Sequence, residues 1–106
     1  MTDGSEEAIT RLALAAKAGD RQAAAEFVRS TQPGLLRFLT VLADRGDVED
    51  LAQETYLRAM PALAGFDARS SARTWLYAIA RRVAADHVRH AQRRPRTSPL
   101  EHLDES

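Results

Sequence analysis

Apolar residues recur along this chain at helical spacing. Ile9, Leu12, Ala13 and Ala16 mark a first helix from about Ser5 to Lys17, ended by Gly19, with Asp20 placed to cap the next. The second segment carries Ala24, Phe27 and Val28, then Leu35, Leu36, Phe38, Leu39 and Leu42. Gln32, Pro33 and Gly34 interrupt it. Proline disfavours helical backbone in the residue before it and lacks an amide donor, so a break or kink is expected near Thr31 to Gly34. The "DRGD" stretch predicts a turn, and Asp47 is placed as N-cap of a third helix reaching Met60 or slightly beyond, with Pro61 and Gly65 bracketing its end. A loop from about Ala64 to Ser70 leads to Ser70 or Ser71 as cap of a last helix that runs to about Arg93. Pro95 and Pro99 stop that helix, and "PRTSPLEHLDES" reads as a flexible tail or linker.

The expected fold is therefore all-α, a bundle of three to four helices in one domain over residues 1–94, as suits a chain of 106 residues rich in Ala, Leu and Arg. On a helical wheel at about 100° per residue, Trp75, Leu76, Ile79, Ala80 and Val83 form the core stripe of the last helix. Ala78, Arg81, Arg82, Ala85 and Arg89 fall together elsewhere. In the third helix Val48, Ala52, Thr55, Ala59 and Leu63 make a core stripe with Leu51 and Tyr56 at its margins, and Asp50, Gln53, Glu54 and Leu57 lie opposite.

Charge sharpens this picture. The 15 basic and 15 acidic side chains cancel overall, yet Gly65 to Thr97 holds eight arginines against Asp67 and Asp86, a net charge of +6, while residues 1–64 carry −3. A basic half and an acidic half suggest two different partners, with a polyanion as the natural one for the arginines. Long guanidinium arms alternating with methyl-sized residues let a nucleic-acid backbone approach closely. The competing interpretation is a solvated ion-pair face, with Asp86 four residues after Arg82 and able to pair with it. Phe66, just before the arginine helix, is either a base-stacking platform or a plug at the end of the bundle, whereas Trp75 borders the core stripe and belongs to the packing. Leu57, apolar among polar neighbours, is either a docking residue or one more exposed leucine.

Chemistry is constrained by what is missing. There are no cysteines, hence no disulfide, thiol nucleophile or cysteine-ligated metal. His87 and His90 stand at a spacing that can hold a metal, but no third ligand is near and both lean toward the core stripe. No glycine-rich phosphate loop or nucleophile–base order is present, and the acids of "DVEDLAQE" are most simply an exposed helix face. No enzyme, cofactor or metal is expected. The acidic start is unlike a secretory signal and no apolar run spans a membrane, so the expected location is the cytoplasm, without membrane contact.

Taken together, "DVEDLAQETYLRAMPALAGF", "SSARTWLYAIARRVAADHVRH" and the basic "RRPR" resemble region 2 of the extracytoplasmic-function (ECF) sigma factors, group IV of the sigma-70 family, over roughly Glu7 to Arg96. The most specific parts are the D-x-x-Q-E block of "DLAQETYLRA" and the "TWLYAIAR" block at the expected separation. The abundance of alanine and arginine looks like a high-GC actinomycete, and the sequence is especially similar to sigma C-like members.

That resemblance implies a non-catalytic domain for promoter recognition in transcription initiation. It implies docking on the clamp helices of the RNA polymerase β′ subunit through Asp50, Gln53, Glu54 and Leu57. It also implies recognition of the −10 element, with a base flipped from the melted non-template strand, through the loop Phe66, Asp67, Ala68, Arg69, Ser70, Ser71 and Ala72 and through Arg73, Arg81, Arg82 and Arg89. An anti-sigma factor is the implied regulatory partner, and sequestration by one is the alternative role. Many members carry asparagine where this chain has Arg82, so that side chain is expected to meet phosphate or guanine instead. The region 4 helix-turn-helix of the family has no counterpart in these residues, and the acidic tail matches the start of an inter-domain linker.

Overall fold

A computed structural model describes residues 5–93 and places four α-helices there: α1 Ser5–Lys17, α2 Arg21–Leu42, α3 Val48–Ala62 and α4 Ala72–Arg93. Short 3-10 turns, Arg45–Asp47 and Leu63–Gly65, flank α3. The expected tail and linker beyond Pro95, with Arg94 and Arg96, lie outside the described residues. α2 and α4 each pack against the other three helices. Their shared core contains Ile9 and Ala13 from α1, Phe27, Leu35 and Leu39 from α2, Leu51 and Ala59 from α3, and Leu76, Ile79 and Val83 from α4. All-α architecture and the core stripes of α3 and α4 agree with the periodicity.

Helix boundaries follow local chemistry. Gly19 takes φ +106°, a left-handed turn that costs glycine little, and the Asp20 carboxylate accepts from the amides of Gln22 and Ala23 at 3.0 Å each. Ser71 caps α4, its Oγ accepting from the Thr74 amide at 3.1 Å.

Three expectations are corrected. Pro33 does not break α2, which is continuous from Arg21 to Leu42. Buried Phe27 and Thr31 before the proline and buried Leu35 and Leu39 after it lie against one core, and that packing holds the two halves in line despite the lost amide donor. Thr31 reinforces the join: its hydroxyl donates to the Phe27 carbonyl at 2.8 Å and lies 2.7 Å from the Tyr56 hydroxyl of α3. Asp47 begins α3 but makes no side-chain cap; its carboxylate lies 3.2 Å from His87 Nε2 instead, tying the α3 start to α4. His90 is exposed and only His87 is half-buried, because the last turns of α4 extend past the core.

Gly34, inside α2, is buried beneath side chains of α4. A Cβ there would fall 2.7 Å from the Tyr77 hydroxyl and 2.9 Å from the Arg73 guanidinium. Among the described residues no helix is long and apolar enough to cross a membrane.

Candidate functional site

The outward face of α4 gathers Arg81, Arg82 and Arg89, all exposed, around exposed Ala85, with Ala78 half-buried. Arg81 is steadied by an aromatic pair beneath it: Phe38 of α2 and Tyr77 of α4 stack at 4.4 Å between centroids, and the Arg81 guanidinium lies 5.9 Å from the Phe38 ring centre. Arg82 does not pair with Asp86. Asp86 is taken by Arg58 of α3, whose guanidinium donates to it at 2.9 Å and to Glu54 at 3.1 Å, and by Arg89 one turn along α4. The hydrogen bond from Arg58, with smaller contributions from the charges of Arg89, Arg58 and Arg82, holds the Asp86 carboxyl below its ordinary range. Asp86 is thus an anionic centre among three arginines, bonded to two of them.

Arg73, expected on this face, is directed elsewhere. Its side chain is 27% exposed and its Nε donates to Glu6 of α1 at 3.1 Å, while the guanidinium covers Gly34. The reason is rotation: Arg73 lies on the flank of α4 that meets α1 and α2, away from Arg82 and Arg89, and so clamps three helices together.

Phe66, in the loop before α4, takes the plug of the two alternatives and not the stacking platform. Its ring is 2% exposed and packs tilted against Trp75, with centroids 5.1 Å apart, so it plugs the end of the bundle and offers no stacking surface. Asp67, Ala68, Arg69 and Ser70 are all exposed. Ala68 adopts φ +62°, a left-handed conformation uncommon for a residue with a Cβ, and the Asp67 carboxylate bridges it by accepting from the Arg69 amide at 3.2 Å and ion-pairing with the Arg69 guanidinium, Nε 3.0 Å away. An open concavity lies between this turn and α1, lined by Glu6, Glu7, Thr10, Arg11, Ala68 and Ser71 among others.

On α3, Leu57 is 66% exposed, with Asp50 and Gln53 exposed beside it and Glu54 partly covered by Arg58. Asp50, Gln53 and Leu57 border a groove of about 630 Å³ between α2 and α3 that is also lined by Leu36, Tyr56 and Met60. The structure thus brings Asp50, Gln53 and Leu57 together at one groove, and Arg81, Arg82 and Arg89 on one helix face.

Sequence reasoning missed Arg58, which links Glu54 to Asp86, and two α1 residues that hold the loop. Lys17 Nζ donates to the Phe66 carbonyl at 2.7 Å, and Thr10 Oγ1 accepts from the Ala72 amide at 3.0 Å. These partners are 49 and 62 residues apart in the chain, beyond the reach of any local pattern. Among the described residues no group of three or more His, Cys, Asp or Glu side chains is placed to hold a metal ion.

Comparison with known proteins yields a consistent set. Residues 27–94 match the family described as sigma-70 region 2. The probable RNA polymerase sigma-C factor of Mycobacterium bovis and the ECF RNA polymerase sigma factor SigC of Mycobacterium tuberculosis are each 53% identical over 97 residues, covering 92% of this chain and 52% of theirs. SigX of Bacillus subtilis, also an ECF sigma factor, is 44% identical over 59 residues, 55% of this chain and 30% of its own. The chain spans about half the length of the mycobacterial relatives. An NMR structure of an engineered region 2 of sigmaE in complex with GTAAAA superposes with a TM-score of 0.74 at 29% identity, covering 80% of this chain and 90% of that one.

Proposed function

The chain belongs to the sigma-70 region 2 family, among the ECF sigma factors, and from that premise we propose that it recognises the −10 promoter element for RNA polymerase. The observation that carries this reading is the exposure of the loop from Asp67 to Ser70 together with that of Arg81, Arg82 and Arg89 on the helix it leads into. The solved relative in complex with GTAAAA supports it.

Physically, a flipped base requires an open, unstacked strand, so single-stranded DNA should bind more readily than closed duplex, whose opening costs a few kcal/mol. In this reading the loop reads the base through its backbone and the polar side chains of Asp67, Arg69 and Ser70, since the Phe66 ring is buried. The arginines of α4 hold phosphates and hinder reannealing, giving affinity with a steep salt dependence. Arg82 meets phosphate or guanine. Arg73 acts from within by fixing α4 against α1 and α2.

The second face serves assembly. Leu57, with Asp50, Gln53 and Glu54, docks on the β′ clamp helices; an outward leucine beside an apolar groove rimmed by acids is suited to receive a mixed apolar and basic helical surface. No catalytic step is needed: the domain works in the cytoplasm by binding alone.

The test is fluorescence anisotropy of this chain with a single-stranded randomised oligonucleotide pool, its duplex form and a competing RNA across a salt series. Selective single-strand DNA binding with an enriched short motif is expected. Equal or stronger duplex binding would replace this reading with a generic duplex-binding helical domain.

A further inference from the structure

The loop from Phe66 to Ala72 joins α3 to α4, yet both of its ends are held by α1. Lys17 Nζ donates to the Phe66 carbonyl at 2.7 Å, and Thr10 Oγ1 accepts from the Ala72 amide at 3.0 Å. Thr10 and Lys17 are seven residues apart, two helical turns, so they project from the same side of α1 and reach the two ends of the loop together.

The Ala72 amide is the first of the helix-start donors that have no partner within α4. Ser71 serves the third, at Thr74, and Thr10 serves the first from a different helix. At the other end, the Phe66 carbonyl follows the last 3-10 turn and has Lys17 as its partner. Phe66 and Ala72 are themselves buried, at 2% and 0% exposure, whereas Asp67 to Ser70 are exposed and bury no side chain. The span is held locally by the Asp67–Arg69 bridge around left-handed Ala68 and by the Ser70 hydroxyl, which donates to the Ser71 carbonyl at 3.2 Å. A conformation uncommon for alanine persists only where its surroundings over-determine it, and here the surroundings are the two tethers to α1.

We infer that α1 is the positioning element of the loop, with Lys17 and Thr10 holding its ends at the separation that keeps Ala68 left-handed and Asp67, Arg69 and Ser70 presented outward. The inference rests on the reading of this loop as the base-contacting segment. It separates two properties that arginines alone would leave merged: the tethers set discrimination among bases, while phosphate affinity remains with Arg81, Arg82 and Arg89.

The experiment uses Lys17→Met and Thr10→Val, which keep side-chain size and remove each tether, with Lys17→Arg and Thr10→Ser as restoring variants. One readout is the rate of trypsin cleavage after Arg69, whose side chain is 87% exposed, followed by mass spectrometry. The other is the affinity ratio between the enriched single-stranded motif and its scrambled form, with the salt slope taken in parallel. Loss of one such hydrogen bond should speed cleavage after Arg69 roughly fivefold and cut the ratio by a similar factor, with the salt slope unchanged and both effects reversed by the arginine and serine variants.

Cleavage at the parent rate in both Met and Val variants would overturn the inference, as would faster cleavage with an unchanged affinity ratio. If the parent chain itself shows no preference for the motif, the reading of the loop fails and the inference with it. That result differs from failure of the inference alone, in which parent and variants discriminate equally.

Discussion

Replacing Phe66 by alanine separates a ring that holds the fold from one that holds DNA. The ring is 2% exposed and stacks obliquely on Trp75 at 5.1 Å, closing the end of the bundle between α3 and α4. Truncating a buried phenylalanine to alanine costs about 3–5 kcal/mol, combining lost transfer free energy with the cavity left behind. A domain of this size has a total stability on the order of 5–13 kcal/mol, so the variant should forfeit a quarter or more of it. At about 4–8 °C per kcal/mol, the melting temperature should fall by about 12 °C or more. Thermal melts by far-UV circular dichroism on parent, Phe66→Ala and Phe66→Leu measure this directly, with leucine expected to lie between because it fills most of the space. DNA binding measured well below the melting temperature of Phe66→Ala should retain its salt slope. A variant that melts within about 3 °C of the parent yet no longer binds single-stranded DNA would refute the plug, and the ring would have to face outward in solution.

Other perturbations probe the remaining parts. Leu57→Arg should abolish pull-down of core RNA polymerase while leaving the melting temperature nearly unchanged, since the side chain is 66% exposed; unchanged pull-down would discard the docking face. Arg81→Ala with Arg89→Ala should lower the slope of log affinity against log salt by about 1.4 for single strands, and an unaltered slope would mean these arginines do not meet phosphate. Asp86→Asn should raise single-strand affinity in the same titration by releasing Arg58 and Arg89 from the carboxylate they now share; a fall in affinity would show that Asp86 orders them for DNA. Burial, the largest influence, pushes the Tyr56 phenol above its ordinary value of 10.0, so the fold favours the neutral form. That contribution is complete below about pH 10 and is lost as pH rises through the folded-state value, so Tyr56→Phe should flatten the alkaline limb of a stability–pH curve, and a parallel limb would contradict it.

Features that depend on near neighbours along the chain were legible without the fold. The span of α1, Asp20 as a cap and a serine, Ser70 or Ser71, as the cap of α4, the core stripes of α3 and α4, and the outward positions of Leu57, Arg81, Arg82 and Arg89 all follow from repeats of three and four residues and from capping chemistry within one turn. Pro33 shows where such reasoning stops. Its local preference opposes the helix, but Phe27, Leu35 and Leu39 share one buried face across it, and that burial outweighs a single lost hydrogen bond.

What the sequence by itself determined is therefore the set of helices, the side each turns inward, and the family whose motifs it carries. Only the tertiary structure decided which long side chains remain free. Arg73 and Arg89 belong to one helix and one charge run, yet the first is drawn to Glu6 between α1 and α2 while the second stays at the surface with Asp86. Phe66 is closed in by Trp75, Asp47 turns from its own helix to His87, and Thr10 and Lys17 reach across to a loop about fifty or sixty residues away. Periodicity records the angle of a residue about its own helix axis, whereas a side chain's partner is set by how neighbouring axes cross, which emerges only when several apolar stripes are buried at once.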